Sequence, residues 1–136
     1  MTIEKGMDEY GRESIHYVVI DQPESDHEIE ITRLFESGKD INKQDNNGWS
    51  ALHFAAQKQS VIAVKTLLKC GANVELKDSY GNTPLFRAVF CSEGDGQIIT
   101  LLLSHGANPD SENDHGVTPR SLASTIANYD NEKFFK

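Results

Sequence analysis

The 136-residue chain is short of several things, and each shortage narrows the possibilities. With two cysteines, Cys70 and Cys91, it has no disulfide framework, which fits a reducing compartment and predicts a cytoplasmic protein. Basic side chains are outnumbered 13 to 21 by acidic ones, for a formal charge of −8. Binding without sequence preference to nucleic acid or to an anionic bilayer needs a basic face that displaces counterions, so neither is expected as a partner. No apolar run approaches the roughly 20 residues that cross a membrane, and the opening Met1-Thr-Ile-Glu-Lys-Gly6 lacks the apolar stretch of a secretory leader. The apolar fraction, 38%, is thin for a single core yet too high for a disordered chain.

What the chain does have is a period. Gly11, Gly48, Gly81 and Gly116 are spaced by 37, 33 and 35 residues, and Gly38, Gly71 and Gly106 each stand ten residues before the next member of that series. Length therefore varies inside a repeat while the junction between repeats is kept. Asp45-Asn-Asn-Gly-Trp-Ser-Ala-Leu-His-Phe-Ala-Ala56 aligns with Asp78-Ser-Tyr-Gly-Asn-Thr-Pro-Leu-Phe-Arg-Ala-Val89. Degenerate copies begin at Asp8 and Asn113. Thr83-Pro84 and Thr118-Pro119 pair an N-cap hydroxyl with a proline at the first helical position, and each predicts a helix start. Gly38, Gly71 and Gly106 follow apolar stretches and predict helix ends. Between them Ile31/Leu34/Phe35, Val64/Leu67/Leu68 and Ile99/Leu102/Leu103 recur at i, i+3, i+4, an apolar stripe for packing on neighbouring repeats. Such small units are stable only when about three or more stack.

These motifs, with Leu67-Leu-Lys-Cys-Gly-Ala72 and Leu102-Leu-Ser-His-Gly-Ala107, resemble the ankyrin repeat over nearly the whole chain. The resemblance implies an all-α, ankyrin-repeat solenoid of about four helix-turn-helix repeats joined by β-hairpin loops. The repeats would span 8–44, 45–77, 78–112 and 113–136, behind an N-terminal extension of residues 1–7. Departures from the pattern are Glu13-Ser14 in place of Thr-Pro, four extra residues in repeat one and two in repeat three. Phe86 replaces a histidine, and Arg120 replaces a leucine in a way that suits an outer, water-facing end.

No nucleophile motif, phosphate loop or metal-ligand spacing is present, so neither enzymatic activity nor a cofactor or metal is expected. His16, His27, His53, His105 and His115 are scattered. The resemblance gives His16 and His53 structural hydrogen bonds near a helix start. Cys70 is expected to pack at a helix end, and Gly94-Asp-Gly96 to form a loop. Residues 21–30 carry five carboxylates and are expected to form an acidic loop, either merely solvated or facing a basic partner. Residues 1–45 hold 12 acidic and 5 basic side chains (−7), against 9 and 8 (−1) in the remainder.

The resemblance also implies a non-enzymatic protein-binding module whose partner docks on the concave face of hairpin tips and first helices. The positions that carry over are Glu9, Tyr10, Arg12, Ile20 and Asp21; Asn46, Asn47, Trp49, Gln57 and Lys58; Ser79, Tyr80, Asn82, Phe90 and Cys91; and Asp114, His115 and Val117. Trp49, with no evident core role, is the leading contact. Asp78 to Phe90, the Gly94-Asp-Gly96 insertion and the ending Thr125-Ile-Ala-Asn-Tyr-Asp130 are similar to small stand-alone bacterial ankyrin proteins of the immunity type, which neutralise a toxin by covering it. That likeness implies a toxin partner with a basic surface. The alternative is a cytosolic adaptor or regulatory scaffold. The free chain is expected to be a monomer.

Overall fold

The computed structural model describes residues 8–126 and 130–135. The expected extension, residues 1–7, lies outside the described residues, as does part of the segment ending at Asp130. Among the described residues seven α-helices follow in order: α1 (Ser14–Asp21), α2 (His27–Glu36), α3 (Ala51–Gln57), α4 (Val61–Lys69), α5 (Pro84–Cys91), α6 (Gln97–Ser104) and α7 (Pro119–Thr125). First helices pack on first helices, α1 on α3 on α5 on α7, and second helices on second helices, α2 on α4 on α6. The result is two stacked rows. Leu52 and Leu85 fill the inside of the first row, and Ile31, Val64, Leu67, Ile99 and Leu102 that of the second, all at most 1% exposed. Each such side chain contributes roughly 2 kcal/mol by leaving water, but only because a neighbouring repeat covers it.

Helix starts are where the hydroxyls are. Ser50, Ser60, Thr83 and Thr118 are N-caps whose oxygens accept from the backbone N–H three residues on, with Pro84 and Pro119 next to the last two. In α1 Glu13 takes the cap position, and its backbone N–H donates to His16 Nδ1 at 2.9 Å. Gly71, with φ +87° and open space around its Cα, is needed for its conformation alone.

The junctions between repeats are built on an aspartate. Asp45 Oδ1 accepts from the N–H groups of Asn47 and Trp49, both at 2.9 Å, while Gly48 N–H donates to Asp45 O. Asp8, Asp78 and Asn113 repeat this arrangement. Successive turns are tied by single backbone bonds, from Asn46 to Tyr10 O at 2.8 Å, Ser79 to Asn47 O at 2.9 Å and Asp114 to Tyr80 O at 2.9 Å. Among the described residues these loops contain turns and no strand. At Gly48 the stacking is so close that a Cβ would lie 2.7 Å from Asp78 Cα, on a residue already at φ +79°.

Two expectations need adjustment. Among the described residues repeat four has its first helix only; a 3-10 turn at Glu132–Phe135 lies where the second would be, with Phe134 against Gly96 and Arg120 Nη1 donating to Phe135 O at 3.1 Å. Arg120 also pairs with Asp110 at 2.8 Å, a polar end to the stack. The acidic stretch 21–30 is not a free loop. Asp21 ends α1, Glu24–Asp26 form a 3-10 turn and His27 opens α2. Its sequence holds a helix because Glu28 and Glu30 sit in the first turn, where the helix dipole favours negative charge.

Candidate protein-binding face

The tips of the turns and the outer sides of the first-helix row form one face, and a line of aromatic and arginine side chains in mutual contact crosses it. The Arg12 guanidinium lies 4.8 Å from the Tyr10 ring centre and 5.2 Å from that of Phe54. Phe54 is 4.8 Å from Trp49, centre to centre. The Arg87 guanidinium lies 4.9 Å from the Trp49 ring and 5.3 Å from Phe90. Cations over ring faces are held by the ring quadrupole at such distances, so the line runs through repeats one to three as connected contacts. Arg12 is fixed further by Asp45, Nε to Oδ2 at 3.2 Å, across the first repeat boundary. Arg87 Nη2 donates to Gln57 Oε1 at 2.7 Å across the second.

The expected contact residues fall into three groups. Glu9, Asn46, Asn47, Ser79, Asp114 and His115 are exposed at the tips, together with Tyr10 (48% exposed) and Tyr80 (65%). Asp21, Lys58 and Phe90 (59%) are exposed at the ends of α1, α3 and α5. Lys58 Nζ reaches back to Ile20 O at 3.0 Å. The remaining residues are engaged internally. Asn82 is buried: its N–H donates to Asp78, its carbonyl accepts from His53 and its Oδ1 accepts from Asn113 Nδ2, so it holds two junctions together. Trp49 is half-buried and packs on the core, tilted against His53 and Phe54. This corrects the expectation that Trp49 has no core role; its ring shields the His53 junction while one side meets Arg87.

Sequence reasoning missed Phe54 and Arg87. Phe54 reads as one more apolar residue of a helix, and Arg87 as a solvated charge. The available signal was the offset: Arg87 is three residues before Phe90 on α5, which puts both on one side of the helix. His27 was likewise not marked as structural. It is 3% exposed, with Nδ1 2.9 Å from Ser60 Oγ and Nε2 3.0 Å from Gln22 O. Glu24 Oε2 accepts from Ser60 Oγ at 3.2 Å. A Ser–His–Glu grouping invites a catalytic reading, but Ser60 is 5% exposed, its oxygen caps α4, and the far nitrogen of His27 is taken by a carbonyl. The grouping bolts repeat one to repeat two. Its clue was a separation of 33 residues, one repeat.

His16 and His53 make the structural bonds the resemblance implied. His53 Nδ1 accepts from Ser50 N–H at 3.1 Å and Nε2–H donates to Asn82 O at 2.9 Å. His16 Nε2–H lies 2.8 Å from Lys43 O and 3.1 Å from Trp49 O. Both are fully buried, and burial pushes both imidazoles below their ordinary pKa, toward the neutral form this bonding requires. Burial raises the Cys70 and Cys91 thiols, which makes neither a ready nucleophile. Among the described residues no group of three or more His, Cys, Asp or Glu is placed to hold a metal ion, and no helix is long and apolar enough to cross a membrane. The chemistry this face offers is recognition, by aromatic area and oriented charge.

A family model described as ankyrin repeats, three copies, matches residues 15–113. The chain is 34% identical over 92 residues to the human SH3 and multiple ankyrin repeat domains protein 2, covering 67% of this chain and 5% of that protein. It is 41% identical over 76 residues to human protein phosphatase 1 regulatory subunit 27, covering 56% and 48%. It is 38% identical over 107 residues to the mouse neurogenic locus notch homolog protein 1, covering 78% and 4%. The chain thus spans less than half the length of each of these relatives.

Proposed function

Because the chain belongs to the ankyrin-repeat family, we propose that it is a non-enzymatic module that binds another protein through the face of turn tips and first helices. The observation that carries this reading is the gathering of Tyr10, Tyr80 and Phe90, at 48%, 65% and 59% exposure, on one face around the held guanidinium groups of Arg12 and Arg87. Aromatics with arginine dominate binding hot spots because they cover much area with little rotamer loss. The test is a capture experiment with a covalent cross-linker at a tip position. A partner held by the native chain and lost from the Tyr80→Ser/Phe90→Ser double variant supports the reading; equal capture by both contradicts it.

Two forms of that function differ in consequence. In the first the chain is an immunity protein that covers the basic surface of a cognate toxin, a reading drawn from the acidity of residues 1–45. Part of that acidity is engaged within the chain: Glu24 by Ser60, Glu30 by Arg33 at 2.6 Å and Asp45 by Arg12. In the second it is a cytosolic adaptor or regulatory scaffold, a role in keeping with its similarity to protein phosphatase 1 regulatory subunit 27. Co-expression with the product of an adjacent gene separates them. Relief of that product's toxicity supports the first form, and a harmless neighbour removes it.

A further inference from the structure

Arg87 differs from the other three arginines of the chain. Arg12 pairs with Asp45 at 3.2 Å, Arg33 with Glu30 at 2.6 Å and Arg120 with Asp110 at 2.8 Å. Among the described residues no carboxylate pairs with Arg87. Its side chain is half-buried at the middle of the binding face. Trp49 and Phe90 each lie about 5 Å from its guanidinium and lower the local dielectric. Gln57 takes one N–H through a neutral amide oxygen. The Nε–H is buried and has no hydrogen-bond partner among the described residues. A half-buried cation without a counter-charge is costly to keep, whereas a guanidinium that meets an anion through its terminal nitrogens forms the strong, charge-assisted bonds for which its planar shape is suited.

We propose that Arg87 is the receptor for an aspartate or glutamate side chain of the partner protein, carried on a segment whose neighbouring apolar residue rests on Phe90. The proposal rests on the binding face described above and gives it a chemistry. The rings hold the guanidinium, so little rotamer freedom remains to be lost on binding, and the carboxylate supplies the charge the fold omits. Phe90, next to it and 59% exposed, is the surface an adjoining aliphatic or aromatic residue would cover. The partner's footprint is therefore acidic at the boundary of repeats two and three, whatever it presents to the acidic first repeat.

The test is selection of binders to the full chain from a displayed library of random peptides, followed by Kd measurement on individual peptides. The selected peptides are expected to share an Asp or Glu beside an apolar residue. Replacing that acid by its amide, or Arg87→Gln in the protein, should weaken binding by about tenfold or more, while Arg87→Lys, which keeps the charge but not the fork, should weaken it by less. Circular dichroism of each variant checks that the helices persist. Peptides that lack an acid, or whose Kd is unchanged by Arg87→Gln in a folded protein, overturn the proposal. If those peptides still lose affinity to Tyr80→Ser/Phe90→Ser, only the carboxylate receptor fails; if they do not, the binding face fails with it.

Discussion

Replacing His53 by phenylalanine is the sharpest test of how the repeats are joined. The substitution has a precedent within the chain, since Phe86 occupies the same position one repeat later and is 9% exposed. In repeat two, however, the imidazole accepts from Ser50 N–H and donates to Asn82 O, and both bonds lie in the buried interior. Phenylalanine leaves the Ser50 N–H unmatched, whereas the Asn82 carbonyl keeps the bond from Asp78 N–H at 2.9 Å, so His53→Phe should cost about 1–3 kcal/mol in urea denaturation at neutral pH. A second readout is pH. The folded-state pKa of His53 lies below its ordinary value because burial penalises the charged ring. As pH falls through about 6.5 the unfolded chain takes up a proton that the folded chain refuses, so this contribution is present above that pH and is lost below it. Between about pH 7.5 and 5.5 a histidine that stays neutral in the fold costs at most about 1.4 kcal/mol. His16, shifted in the same direction by burial, contributes likewise. The native chain should therefore lose up to about 2.7 kcal/mol over that interval, and His53→Phe should lose up to about 1.4 kcal/mol less. A native stability flat with pH, or a variant with an undiminished slope, refutes the neutral-histidine junction.

Three further outcomes follow from the packing. Trp49→Ala should lower stability by about 2 kcal/mol, less than for a fully buried tryptophan because the ring is half-exposed; an unchanged melting temperature would show Trp49 to be a free contact after all. Ser60→Ala removes the α4 cap and the shared partner of His27 and Glu24, and should cost about 2 kcal/mol by chemical denaturation, with a cost near zero contradicting the bolt between repeats one and two. Gly48→Ala should be the worse of two glycine replacements, at about 3 kcal/mol for positive φ plus collision with the Asp78 backbone, against about 1 kcal/mol for Gly71→Ala, where only the conformation is penalised; equal losses would contradict the close stacking of the turns.

Much of the architecture was legible because it is local and periodic. Asp45 and Gly48 mark a turn wherever they recur, Thr83-Pro84 marks a helix start, and Val64, Leu67 and Leu68 mark one buried side of α4. None of these needs knowledge of a distant residue. The short fourth repeat was hidden, since Thr118-Pro119 announces its first helix as clearly as in a complete repeat. The acidic stretch was misread as a loop for a similar reason: Asp21, Glu24, Asp26 and Glu28 are exposed as expected, but Ser60, on the next repeat, supplies a reason for His27 to fold inward and open a helix. The proposed binding face was named in the sequence as a set of positions but not as a set of contacts. Tyr10, Tyr80 and Phe90 are exposed there, whereas Asn82 and Trp49 are drawn into junctions by His53, whose partners lie 29 residues along the chain or across a ring contact. Arg87 escaped notice because a lone arginine carries no pattern; its meaning comes from Gln57 and Trp49 on the preceding repeat.

The most direct test of the central claim is calorimetric titration of the captured partner against two double variants that remove exposed apolar area from opposite rows. Tyr80→Ser/Phe90→Ser strips the face of turn tips and first helices, and Ile29→Ser/Ile62→Ser strips α2 and α4, where the two isoleucines are 68% and 40% exposed. Loss of affinity by more than about tenfold in the first pair, with the second unchanged, is the result predicted. Loss confined to the second pair would place the partner on the second-helix row and contradict the account.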